Sequence, residues 1–209
     1  MITWKQPDGS VRRLETKNAQ IRLAELPFIR LREKISLQGK GFTDLVREGQ
    51  TKIGTAMFQP ELHIDLASRT VRIGDRIIEM IPVQLMVYAA LLRQKADRCR
   101  HPDRVYCGTC ADCFEPISAL LSQESVDRMI ADYRRMYHHT PDRADELKSK
   151  WQGRTGTEAF RQTLSKISRS IREQLPDERL QPHYIVAAER IYGGSRYGVR
   201  IEKGKVNIE

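Results

Sequence analysis

The chain has 209 residues, of which 40% are hydrophobic and 30% charged, enough for a core but with no surplus. Its net charge of +9 and isoelectric point near 9.6 favour polyanionic partners such as DNA, RNA or cyclic nucleotides. No run approaches the roughly 18 apolar residues of a membrane span, and no secretory leader opens the chain. The expectation is a soluble, cytoplasmic protein without membrane contact.

Residues 1–59 read as an extension rather than a complete domain, because so few large apolar groups cannot build a separate core. Thr3–Lys5 and Val11–Leu14 flank Pro7-Asp8-Gly9, which is turn chemistry for a hairpin. Ile21 and Leu23 alternate with polar residues as in a half-buried strand, and Thr43 is placed to cap a short helix carrying Leu45, Val46 and Ile53. The joint falls at Thr55–Pro60, and the surface of 1–59 is expected to pack on the rest or on a partner.

Residues 60–209 read as the main domain. Leu62, Ile64 and Leu66 alternate with His63 and Asp65, Val71 and Ile73 repeat the pattern, and Gly74-Asp75 is a tight-turn pair before Ile77-Ile78. His63 fits the solvent side of a strand. Pro82 suits the first turn of a helix, and 83–94 is apolar almost all round, so that helix should be central. A second amphipathic helix is predicted over about 125–137, ending at His138-His139, where the helix dipole favours positive charge. Thr140-Pro141 starts a short helix holding Leu147 and Trp151, and 153–156 is a loop.

In 157–175 the apolar residues Phe160, Leu164, Ile167, Ile171 and Leu175 form one stripe at helical spacing. Gln162, Lys166, Arg169 and Glu173 fall on the opposite face, flanked by Ser165 and Arg172. Two extended runs follow the break at Pro176, about 183–190 and 196–202, joined by a Gly-rich turn. A helix with a basic outer face followed by a two-stranded flap is the working end of a winged helix-turn-helix. The expected fold is therefore α+β: a winged helix-turn-helix with leading antiparallel strands, a small N-terminal extension and a cysteine-rich insertion. A leading sheet with a trailing wing resembles the DNA-binding domains of two-component response regulators.

All four cysteines fall in the insertion at 97–115, as Cys99, Cys107, Cys110 and Cys113. Overlapping C-x-x-C steps put three thiols on one tight loop, with Cys99 near enough to fold back as a fourth. Four thiolates suit a structural, tetrahedral Zn2+, with Arg98, Arg100 and Arg104 offsetting the charge and His101 as a substitute ligand. An iron–sulfur cluster, and plain thiols or a disulfide, remain alternatives, though the later Cys-Pro of a ferredoxin run is missing. A closed four-cysteine site would staple a polar insertion and leave no open position for catalysis.

Several segments together resemble a CRISPR-associated family of type III-linked loci. These are 23–32 (Leu-Ala-Glu-Leu-Pro-Phe-Ile-Arg-Leu-Arg), Leu62–Asp65, Ile81-Pro82 with its helix, and 190–198 (Arg-Ile-Tyr-Gly-Gly-Ser-Arg-Tyr-Gly). Family members carry an N-terminal Rossmann-like CARF domain related to ring nucleases, then a winged-helix region. The resemblance covers only the C-terminal portion of such proteins, so the chain is expected to be either a truncated or split product, with the first hairpin as the stub after the sensor domain, or a stand-alone relative. It implies an antiviral defence role, but gives no residue here a part in binding or cleaving cyclic oligoadenylate.

The leading functional expectation is a nucleic-acid-binding winged-helix module, with DNA ahead of RNA. Gln162, Ser165, Lys166, Arg169 and Arg172 would meet the groove, while Arg190, Tyr192, Arg196 and Tyr197 on the wing would hold phosphates or reach the minor groove. The alternative is a protein-docking or dimerisation module of a cyclic-oligoadenylate-sensing or ring-nuclease effector, met at 1–59 by a CARF-like domain or protein partner. A homodimer is the default assembly. An enzyme is the less favoured class: His138, His139 and Tyr192 form no constellation, and there are no clustered carboxylates, G-x-S-x-G or P-loop.

Overall fold

The computed structural model describes residues 2–5, 10–14, 59–101, 107–108, 110–137, 141–153, 155–191 and 193–209. The chain divides into two units, Met1–Lys34 and Ile35–Glu209. In the first, β1 (Ile2–Lys5) and β2 (Val11–Leu14) pair antiparallel with Ile2 opposite Leu14, which is the hairpin expected around Pro7-Asp8-Gly9. The strand expected at Ile21 and Leu23 and the helix expected after Thr43 lie outside the described residues.

The second unit is α+β. Its first sheet has the order β5-β4-β3-β9, from β3 (Leu62–Asp65), β4 (Thr70–Ile73), β5 (Arg76–Ile78) and the C-terminal β9 (Val206–Ile208). Leu62, Ile64, Val71, Ile73 and Ile78 are buried while their neighbours are not, so one face of the sheet makes the core. Ile73 pairs with Arg76 across a two-residue Gly74-Asp75 turn, in which Gly74 takes φ +59°, a left-handed value that favours glycine. His63 is half-buried and 3.4 Å from Glu61, a strand-surface position as expected.

Helix α1 (Pro82–Asp97) runs through the centre, with Leu85, Met86, Val87, Tyr88, Ala89, Leu91 and Leu92 all at 2% exposure or less. The Tyr88 hydroxyl donates to the Tyr184 carbonyl at 2.7 Å, and the Tyr184 hydroxyl donates to the Pro60 carbonyl at 2.5 Å. These two bonds let large aromatic groups be buried without an orphaned hydroxyl. After the cysteine segment come β6 (Glu115–Pro116), the single turn α2 (Ile117–Leu120), α3 (Gln123–Met136) and α4 (Pro141–Gln152). Ser122 caps α3 by accepting the Ser125 N–H, and Val126, Met129, Ile130, Tyr133 and Met136 form its buried stripe. His138 and His139, expected to end this helix, lie outside the described residues.

Helix α5 (Gly156–Gln174) buries Phe160, Leu164, Ile167 and Ile171, as the spacing predicts. Its C-terminus is capped by Gln181, whose side-chain amide donates to the Leu175 and Arg172 carbonyls. The expected strand from His183 starts later. Gln181–Tyr184 form a helical turn (α6), with Pro182 near its start and Tyr184 fully buried, and β7 begins at Val186. β7 (Val186–Ile191) pairs antiparallel with β8 (Gly194–Val199), and β6 adds on the far side of β8, giving the order β6-β8-β7. The expected second run, 196–202, therefore ends early: Glu202 lies beyond β8 and precedes a 3-10 turn at Lys203–Lys205. β9 then pairs parallel with β3, Val206 opposite Leu62, and closes the first sheet.

Candidate nucleic-acid interface and metal centre

On α5 the side chains of Gln162, Ser165, Lys166, Arg169 and Arg172 are all exposed, opposite the buried stripe. The face is not purely basic. Arg161 pairs with Glu158 at 3.8 Å and Arg169 with Glu173 at 4.0 Å, both between exposed groups that water screens well. Ser168, on the buried side, accepts the Val186 N–H at 3.1 Å and donates to the Leu164 carbonyl at 3.2 Å. This bond fastens the first residue of β7 to the middle of α5, so helix and hairpin form one piece.

Within the hairpin the strand period separates the candidate residues. Arg190 faces Ser195 and Ala188 faces Tyr197, which places Arg190 and Tyr197 on one side. Arg196 faces Glu189 and lies on the other side, together with Gly198 and Ala187. Arg190 is exposed, whereas Arg196 and Tyr197 are half-buried, each beside a β6 residue: Glu115 opposite Tyr197 and Pro116 opposite Arg196. Glu189 also accepts a charged hydrogen bond from Arg200. Tyr192 lies outside the described residues, and Gly193 beside it takes φ +81° in the two-residue turn between Ile191 and Gly194.

The four cysteines are thiols joined by no disulfide; Cys107 and Cys113 are buried, Cys99 and Cys110 half-buried. Burial pushes the Cys113 thiol above its ordinary value, the positive Lys95 pulls it back, and Cys110, Cys107 and Cys99 push it up again. Among the described residues, however, the four sulfurs do not form one ligand group: of the cysteines only Cys110 belongs to a set of three or more ligand atoms within 4.8 Å of one another. Burial also raises the Cys107 thiol, again with Lys95 opposing. The Cys107–Cys110 step is a tight turn, with the Cys110 N–H donating to the Cys107 carbonyl at 3.0 Å.

Two further side chains join this loop. His101 Nε2 lies 2.7 Å from Asp112 Oδ2, and the Cys110 thiol donates to the same oxygen at 3.4 Å. The ligand atoms of His101, Cys110 and Asp112 lie within 4.8 Å of one another, so this group could hold a metal ion. Lys95 is 1% exposed and donates its ammonium to the Cys107 carbonyl at 2.9 Å, placing a buried positive charge beside the thiols. Glu202 is 8% exposed, and its carboxylate accepts the N–H groups of Cys107 at 2.6 Å and Gly108 at 2.7 Å. Lys95, Glu202 and Asp112 are not legible from the sequence as parts of a site. A long apolar helix hides Lys95, and Glu202 is separated from Cys107 by almost the whole domain.

A cleft of about 310 Å3 lies between α1, α3 and the start of α5, lined by Val87, Leu91, Met129 and Phe160 with Arg93, Arg98 and Arg128. Its arginines are answered by Asp132 and Glu124. Among the described residues that line it there is neither histidine nor cysteine. Among the described residues no helix is long and apolar enough to cross a membrane. Comparison of the chain with protein-family models, with curated proteins and with solved structures finds no match.

Proposed function

We propose that residues 60–209 form a winged-helix module that binds nucleic acid, duplex DNA ahead of RNA. The observation that carries this reading is the exposed row Gln162, Ser165, Lys166, Arg169 and Arg172 on a helix whose opposite face is core. Support for the fold reading comes from the connectivity: a leading sheet, a central helix, a short strand, further helices ending in α5, and a hairpin that accepts that short strand as its third member. The Ser168 bond to Val186 supports it further, because a helix and wing that grip one duplex need a fixed relation. Arg190 and Tyr197 share a hairpin face and are the wing contacts of this reading; Arg196, set against Glu189, contributes less. The family resemblance of the sequence would make the whole a part of a CRISPR-associated defence protein.

Zinc held by Cys99, Cys107, Cys110 and Cys113 belongs to the same reading, as a staple for a polar loop with little core of its own. The donor chemistry fits a thiophilic divalent ion, and the buried Lys95 charge offsets the negative charge of a multi-thiolate shell. His101 and Asp112 fit a supporting ring or a substitute ligand.

The experiment is fluorescence anisotropy of the chain with short duplex DNA across a salt series. Affinity should fall linearly on log–log axes, and Lys166→Ala with Arg169→Ala should weaken binding at least tenfold and flatten the salt slope. Absence of binding at low salt would overturn the reading. A docking or dimerisation module is then favoured by one observation: Ile77 and Ile81, at the end of β5 and the start of α1, are 63% and 58% exposed.

A further inference from the structure

The cysteine segment is fastened to β8 at two separate points. At the first, the chain leaving Cys113 runs straight into β6, which pairs with β8 through Glu115 opposite Tyr197 and Pro116 opposite Arg196. Phe114, fully buried, lays its ring on Gly198 so closely that a Cβ there would overlap it, and the Arg200 guanidinium lies 5.6 Å from the same ring. At the second, the chain leaving β8 returns to the cysteines: Glu202 accepts the Cys107 and Gly108 N–H groups, and the Lys203 N–H donates to Cys107 Sγ at 3.4 Å. The Lys203 ammonium adds a bond to the His101 carbonyl at 2.8 Å.

We propose that metal binding by the cysteine segment sets the position of the β7–β8 hairpin, and that Glu202 is the positioning residue that transmits it. This rests on the zinc reading above and extends it from a local staple to control of the hairpin. A buried carboxylate needs donors, and the two that Glu202 uses belong to the turn whose sulfurs, on Cys107 and Cys110, would bind the ion. Metal fixes that turn, and with it the direction of both N–H groups. Without metal the turn is free to reorganise, Glu202 loses its donors, and the end of β8 moves with it. The hairpin that carries Arg190, Arg196 and Tyr197 then takes its productive position only in the loaded protein. Because β6 holds the middle of β8, the displacement is hinged there rather than global.

The test uses the full chain, stripped of metal with a chelator and reloaded with zinc(II), and needs no nucleic acid. Zinc uptake is followed by competition with a chromophoric chelator, and hydrogen–deuterium exchange is read on peptides covering 186–202. In the wild type, zinc should slow exchange across 194–202 at least tenfold. Glu202→Gln should still take up zinc, about tenfold more weakly, as loss of an outer-shell partner does, and the protection of 194–202 should no longer follow loading. Glu202→Asp, which keeps the charge but shortens its reach, should behave the same way. Zinc uptake with unchanged hairpin exchange, or equal protection in both variants, overturns the coupling and leaves the metal site standing. Absence of zinc uptake by the wild type overturns both. Far-UV circular dichroism confirms that each variant is folded.

Discussion

Gly198 and Gly194 lie on one strand yet face opposite constraints. A Cβ on Gly198 would strike the ring of Phe114, which is fully buried and has nowhere to go, whereas a Cβ on Gly194 meets nothing within 4 Å. Overpacking of this kind costs about 1–3 kcal/mol. Gly198→Ala should lower the unfolding free energy measured in urea by that amount while Gly194→Ala leaves it within error. At the same scale, His183 makes a stability statement about pH. Burial pushes its imidazole below the ordinary value of 6.5, with Glu202 and the Arg200 carbonyl pulling partly back. The folded state therefore prefers the neutral ring, and the unfolded chain takes up the proton first. The His183 contribution is complete above about pH 7 and is lost as pH falls below 6.5 towards the depressed folded value. Urea unfolding from pH 8 to pH 5 should show this acid limb in the wild type and a shallower one in His183→Gln.

At the scale of elements, α1 and α3 are joined by more than apolar packing. Arg93 on α1 donates two bonds to Asp132 on α3, in an ion pair whose side chains are 20% and 6% exposed. Removing one partner leaves the other charge poorly solvated, at a cost of about 3–5 kcal/mol, whereas replacing both by apolar groups is often neutral. Asp132→Ala should lose close to that amount, and Arg93→Leu with Asp132→Leu should recover most of it in a double-mutant cycle. A double variant as unstable as Asp132→Ala would show that packing, not charge, explains the loss.

The elements also show where sequence reading ends. α5 was legible because Phe160, Leu164, Ile167 and Ile171 carry a long helical period, and β3–β5 because alternation and Gly74-Asp75 are local signals. β6 was not, because a two-residue strand containing Pro116 has no period; its partner β8 defines it. β9 was not, because parallel pairing of Val206–Ile208 with Leu62–Asp65 joins the two ends of the domain. The helical turn at Gln181–Tyr184 took only the first residues of the strand expected from His183, because Tyr184 must reach Pro60, a constraint set by tertiary structure. The cysteine cluster was legible by spacing alone. Lys95, Asp112 and Glu202 entered its surroundings only once the chain was folded.

For the molecule as a whole, the cysteine segment joins two pieces of architecture, the central helix and the hairpin sheet. It begins at the C-terminus of α1, where Lys95 holds the Cys107 carbonyl, and ends in β6 on the hairpin sheet. Glu202, which grips the same loop, stands just before the turn that leads into β9 and the first sheet. A loop with these attachments has few apolar groups to order it, so its order must come from bonds: the Lys95 and Glu202 contacts, and on the present reading an ion. Removing the ion should then be felt beyond the loop. Chelation should lower the melting temperature by more than about 4 °C, the shift that ~1–2 kcal/mol produces in a domain of this size, and re-addition of one equivalent of zinc should restore it. Cys107→Ser and Cys113→Ser should sit at the chelated melting temperature and no longer respond to chelator. A protein that is isolated with four titratable thiols and no metal, and that melts identically with and without chelator, would remove the ion from this account.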